Sequence, residues 1–246
     1  MPRDIVKAKL AKLRREVERQ LRPHRLAFQR AAARPTPQNP WLTALLSFLK
    51  VAAVVALPFY VYVRSSVYLY AQGVAPWLAV AFGALLTMGI VAGYATWISR
   101  RFSGRKRASD MARWIALPLA AAWCGYAVLY LAGANAKTDQ VRAYYSAVHP
   151  VLRAALGTAI LIDPDIVVTD LRRVPEDYAR MGLPVYDRTL HYRQKNGWVH
   201  AVDLRTRGRG AVKNRAVQLY FRSMGFRTLR HVGTADHLHV SLPIRD

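Results

Sequence analysis

Three apolar runs constrain this chain more than any other feature. Trp41 to Val63, Pro76 to Ile98 and Trp114 to Ala132 each approach or exceed the roughly 20 residues that a helix needs to cross the hydrocarbon of a bilayer. A chain with three such runs in quick succession is expected to be a multi-pass membrane protein, with residues 41–134 forming a three-helix anchor. Trp41, Trp77, Trp97 and Trp114 fall near the run ends, where an aromatic belt places them. Lys50 and Pro58 interrupt the first run. A lysine there reaches the near interface by snorkelling.

The basic charge is distributed unevenly. The formal net charge is +23, although 53% of the residues are hydrophobic, so charge and apolar surface must lie in separate blocks. Eleven Lys and Arg residues precede the first run, and six, from Arg100 to Arg113, lie between the second and third. Only Arg64 lies between the first and second. Positive segments stay in the cytoplasm. The expected topology therefore has a cytoplasmic N-terminus and an external C-terminal part, periplasmic if the membrane is a bacterial inner membrane. Within residues 1–40, Val6, Leu10, Leu13, Val17 and Leu21 recur at helical spacing among lysines and arginines. That pattern predicts a basic amphipathic helix suited to anionic lipid of the inner leaflet or to a partner. A Pro-rich linker follows at 35–40. Strong basicity also raises nucleic-acid binding, but no zinc-finger or RNA-binding motif accompanies it and the positive-inside pattern accounts for the charge. The single Cys124 excludes an intramolecular disulfide and a Cys-rich metal knuckle.

Residues 135–246 have a mixed pattern. Helices are predicted over 138–149, with Thr138 as N-cap and Pro150 as a stop, over Pro175–Met181 before Gly182, and over Ala211–Met224 before Gly225. Strands are predicted at 160–162, 166–168, 226–232 and 237–242. A hairpin over Thr189–Arg205 would turn at Asn196-Gly197. Helices and strands without βαβ alternation predict an α+β domain with an antiparallel sheet.

Six of the seven histidines lie in this domain. His191, His200, His237 and His239 accompany Asp203 and Asp236. Two histidines and a carboxylate are a ligand set for catalytic zinc, which makes water acidic near neutral pH. Strand alternation puts His237 and His239 on one face. Asp236, just before that strand, can reach the same pocket as a general base. In the expected hairpin register Arg193 pairs with His200 and His191 with Val202. Asp203 then faces away from both histidines unless the strand bulges or ends. The residues alone leave open which of these side chains would hold the metal.

Asp236-His237-Leu238-His239 resembles the second motif of the M15 peptidases, the D-alanyl-D-alanine carboxypeptidase and L-alanyl-D-glutamate endopeptidase group. That group shares its zinc site with the hedgehog signalling domain. Ala201-Val202-Asp203-Leu204 resembles the end of the family's first motif, His-x6-Asp, but seven residues before Asp203 stands Asn196. The resemblance covers roughly residues 160–242. It implies zinc held by Asp203 and His239, with His200 in place of the first motif's histidine and His191 as the alternative, a murein stem-peptide substrate, Asp236 as catalytic base and His237 as a catalytic partner that stabilises the oxyanion or orients the site. It also implies that Arg172, in Val168-Thr169-Asp170-Leu171-Arg172, contacts the substrate carboxylate. Membrane-tethered relatives of this kind resemble endopeptidases that open the wall for type VI secretion, which would make secretion-system proteins partners. The irregular first motif keeps a second reading open, a non-catalytic scaffold binding cell wall or a protein. A two-histidine phosphodiesterase lacks its second His-x-Ser/Thr element.

Overall fold

The computed structural model describes Glu18 and residues 39–102, 109–180, 182, 184, 189–233 and 236–243. Apart from Glu18, the expected basic amphipathic helix and most of the Pro-rich linker lie outside the described residues, as does Met181. The chain forms two compact units, Met1–Ala53 and Val54–Asp246.

Three helices are long and apolar enough to cross a membrane: α1 (Pro40–Ala71), α2 (Pro76–Phe102) and α3 (Ser109–Leu129). Their outer surfaces carry exposed Phe82, Leu85, Leu86, Trp114 and Leu119. Exposed apolar side chains in this number mark a site of membrane or protein contact. Pro58 lies inside α1 and has no N–H to offer the carbonyl of Val54. The Tyr94 hydroxyl on α2 donates to that carbonyl at 3.1 Å, so the freed acceptor is satisfied by a neighbouring helix. In α3 the residues just before Pro118 form one π turn, Ala112–Ala116, a common adjustment where the helical ladder is interrupted.

Helix α1 continues eight residues beyond the expected end of the first apolar run, so Arg64 lies in helix rather than in a loop. Ser66, Val67 and Tyr70 on this extension are buried. A Cβ built on Gly225 would lie 3.1 Å from Val67.

The remaining elements are α4 (Asp139–Ala143), α5 (Pro150–Ile162), β1 (Val168–Asp170), α6 (Pro175–Arg180), β2 (Ala201–Arg205), α7 (Ala211–Met224), β3 (Arg227–His231) and β4 (His237–Ser241). The Thr138 side chain caps α4 by accepting from Val141 N–H, and a 3-10 turn over Tyr144–Ala147 completes that segment. Pro150 starts a helix instead of stopping one. Proline suits a first helical turn because its missing N–H would have no partner there, and the His149 side chain accepts from Val151 N–H. Helix α5 runs through Ile160-Leu161-Ile162, the tripeptide expected as strand. A short apolar run is ambiguous by pattern, and packing against α2 and α3 decides it. Gly157 lets α5 approach α3, since a Cβ there would meet the Ala127 carbonyl oxygen at 2.2 Å. The Tyr145 hydroxyl donates to the same carbonyl at 2.9 Å.

The four strands form an antiparallel sheet in the order β1-β2-β4-β3. Partners across the ladder share a face. Val202↔Val240 and Leu204↔Leu238 therefore make one apolar face, and all four belong to the core shared with α5 and α7. Asp203↔His239 and Arg205↔His237 make the opposite, polar face, continued by His231↔His237 on β3. The expected Thr189–Arg205 hairpin shrinks to a turn and one bridge, Arg193↔Val199. Strand β2 is bonded on one edge to β1 and on the other to β4, which leaves no edge for residues 189–195.

Replacing Gly157 by Ala is expected to lower stability by roughly 1–3 kcal/mol, the usual cost of overpacking a tight contact. Thermal unfolding of the detergent-solubilised chain measures it, and an unchanged melting temperature would refute the close approach.

Candidate metal centre

The polar face of the sheet is where the chemistry-bearing side chains meet. Asp203 lies in its middle and is 2% exposed. Its Oδ1 is 2.9 Å from His239 Nδ1 and 3.3 Å from His191 Nε2. Those two nitrogens are 3.3 Å apart. Three donor atoms thus form a triangle with edges of 2.9, 3.3 and 3.3 Å. A tetrahedral ion with bonds of about 2.0–2.1 Å has donors about 3.3 Å apart. The group His191, Asp203 and His239 can therefore hold a metal ion.

Neighbouring groups prepare the donors. His191 Nδ1 lies 2.7 Å from the Leu171 carbonyl oxygen. Since a carbonyl only accepts, Nδ1 carries hydrogen, and in the neutral ring Nε2 offers its lone pair to the triangle. The backbone pins the same loop, with Arg173 N–H donating to the His191 carbonyl at 3.1 Å. The Arg173 guanidinium donates to Asp203 Oδ2 at 2.9 Å and pairs with Asp170. His237 Nε2 is 3.7 Å from Asp203 Oδ2, and its ring stacks on His231 at a centroid distance of 4.6 Å.

Charge follows from this packing. Burial disfavours ionised Asp203, but the His191 imidazole and hydrogen bonds from His191 and His239 outweigh it, holding the carboxyl well below its usual range. Burial lowers the proton affinity of His191, and Asp203 more than restores it, so the net shift is upward.

The sequence-predicted residues separate into two groups. Asp203 and His239 meet, and the histidine that joins them is His191. His200, the first choice from sequence, lies elsewhere. It stands three residues before Asp203, on the parity of Val202, and so turns to the core side of the sheet. Its ring is fully buried, 4.8 Å from that of His149, and its Nε2 meets the Asn196 side chain at 2.9 Å. The conflict between His191 and Asp203 in a regular hairpin disappears because His191 lies outside any strand and crosses to the polar face from a loop.

Asp236 lines the adjoining cleft, clasped by Arg230 at 2.7 and 2.8 Å and by the Thr206 hydroxyl at 2.7 Å. These hydrogen bonds, first from Arg230 and then from Thr206, bring its pKa to about 2. So weak a base does not suit proton abstraction near neutral pH. Arg172 does not reach the centre either. Its guanidinium lies over the Tyr144 ring at 5.4 Å, and the arginine at the site is the next residue, Arg173. Sequence reasoning missed Arg173 and Asp170. Their spacing of three, just after a strand, was the available signal.

The chain matches no protein-family model, no curated protein and no solved structure.

His191→Ala is expected to abolish stoichiometric binding of a divalent cation, whereas His200→Ala retains it. Equilibrium dialysis with metal analysis decides, and the reverse pattern would overturn the assignment. A second expectation concerns the metal-free chain. A raised pKa on His191 contributes stability that is complete below the unfolded value of about 6.5 and is lost as pH rises through the folded value. In chelator the protein should melt at a higher temperature at pH 6 than at pH 8.5, and His191→Gln should flatten that slope.

Proposed function

We propose that this protein is a membrane-anchored, zinc-dependent peptidase acting on bacterial cell-wall stem peptides. The observation that carries the reading is the triangle of His191, Asp203 and His239 donors. A two-nitrogen, one-oxygen donor set suits zinc. It leaves a coordination position for chemistry, and Leu171 and Arg173 fix its orientation from behind.

A bound zinc ion would supply Lewis-acid chemistry there, polarising a carbonyl and making water acidic near neutral pH. The chain's own residues do the rest. His191 and His239 offer neutral nitrogens, and Asp203 offers one oxygen while Arg173 holds the other. His237 lines the cleft beside Asp203 and is the titratable group best placed to pass a proton to the departing amine. Asp236, neutralised by Arg230, shapes the cleft wall instead of acting as base.

The substrate and the compartment rest on other support. The Asp-His-x-His resemblance points to murein stem peptides. The distribution of Lys and Arg among the apolar runs supports an external position for the domain, in the periplasm of a bacterial inner membrane. Peptidoglycan would be its partner there, and a secretion apparatus crossing the wall would use such local opening. Anionic lipid would meet the basic N-terminal segment.

Purified full-length protein is expected to bind one zinc per chain and to release peptides from sacculi. His239→Ala should lose both. Arg173→Lys should weaken zinc affinity about 10–100-fold, as losses behind a metal ligand do. Zinc bound at one per chain with no peptide release would refute the peptidase and leave a metal-stabilised wall-binding scaffold.

A further inference from the structure

Beside the metal centre lies a cleft of about 530 Å³, within the range of ligand pockets. Its acids are paired from within. Asp170 and Asp203 share Arg173, and Asp236 is paired with Arg230. Its other cations are not. Lys137, Arg205 and Arg207 line the same cleft, and none of them makes an ion pair or side-chain hydrogen bond to another described residue.

The fold brings these three cations together from distant positions. Lys137 is held by its backbone N–H, which donates to the Val168 carbonyl at 2.8 Å beside β1. Arg205 is the last residue of β2, opposite His237, on the face that carries Asp203 and His239. Arg207 follows in the turn before α7, where Gly208 adopts a φ of 80°. All three are exposed, so they remain hydrated and need no internal partner. Three positive charges converging on a concave site create an attractive field for anions, and each can form a charge-assisted hydrogen bond to an oxyanion.

We propose that this cleft selects peptides bearing free carboxylates beside the bond presented to the metal centre, with Lys137, Arg205 and Arg207 as the specificity-determining residues. This inference rests on the peptidase reading of the same site. It adds that a stem peptide with its α-carboxyls free is preferred over the same peptide with them amidated.

The test uses the full-length chain in detergent, with metal removed by chelator, so that binding is read without cleavage. Two synthetic stem peptides are compared, one with free α-carboxyls and its carboxamide twin. The free-acid peptide is expected to bind about tenfold more tightly, as one charge-assisted hydrogen bond allows. The difference should shrink as salt is raised. Lys137→Ala and Arg207→Ala, each with unchanged melting temperature, should narrow it, whereas Lys195→Ala, at the exposed 194–197 turn, should not. Equal affinities, no binding of either peptide, or an undiminished difference in the variants would overturn the proposal. So would inorganic phosphate competing more strongly than the free-acid peptide, which would indicate a phosphate ligand. Zinc is then restored. Selective binding without hydrolysis removes the peptidase and keeps the selectivity, and equal binding and hydrolysis of both twins does the opposite.

Discussion

One buried carboxylate organises the polar side of this domain. A carboxylate removed from water must be paired and hydrogen-bonded, or it protonates. Asp203 is in the middle of a sheet, where β1 and β4 occupy both edges of its strand, so its partners must come from side chains above the face. They come from three directions: His239 from the adjacent strand, His191 from a loop, and Arg173 from the segment after β1. The loop containing His191 has almost no ladder of its own. Its position is set by what Asp203 requires and by hydrogen bonds of His191 Nδ1 to the Leu171 carbonyl, of Arg173 N–H to the His191 carbonyl and of His200 N–H to the Leu190 carbonyl.

The opposite face solves a different problem. Val202, Leu204, Leu238 and Val240 are packed into a core that continues through α5 to α2 and α3. Where α5 begins, Arg153 is 4% exposed and has no carboxylate beside it among the described residues. Three aromatic faces surround its guanidinium instead, Trp77 at 5.0 Å, Trp198 at 5.7 Å and Tyr145 at 5.8 Å. Desolvated cation–π contacts can each contribute about 2 kcal/mol. Trp77 belongs to α2 and Trp198 to the turn before β2, so this one cation ties an apolar helix to the segment leading into the site. The Tyr145 and Ala127 contact and the close approach at Gly157 act in the same direction. The polar face is therefore carried on a platform continuous with α2 and α3.

The sequence revealed some of this clearly and some not at all. Helix ends marked by chemistry were legible: Thr138 as a cap, Pro175 opening α6, and Gly225 closing α7 with a φ of 101°. So were β3, β4 and the shared face of His237 and His239, because alternation is local. Partner choice was not local. Asn196-Gly197 is a strong hairpin signal, yet β1 and β4 are better partners for β2, and no property of residues 189–205 reveals that competition. The His200 assignment failed for the same reason. It rested on separation along the chain, whereas the candidate ligand His191 is twelve residues from Asp203 and meets it only through tertiary packing. Arg172 and Arg173 differ by one position. At a strand end that step determines whether a guanidinium faces Tyr144 or Asp203.

A scaffold reading must account for the polar face as well. Burying an ion pair costs several kcal/mol per charge, and well-packed apolar residues of similar volume often serve stability equally or better. This chain packs such residues one position away on both central strands, with Val202 and Leu204 flanking Asp203 and Leu238 and Val240 flanking His239. A domain selected only to fold and bind would lose nothing by extending that pattern. Instead it keeps three imidazoles and a guanidinium converging on one buried acid, with two of the rings fixed at ligand spacing. An arrangement that works against stability in this way is expected where the groups have a chemical task, and it favours the metal-dependent reading over a scaffold.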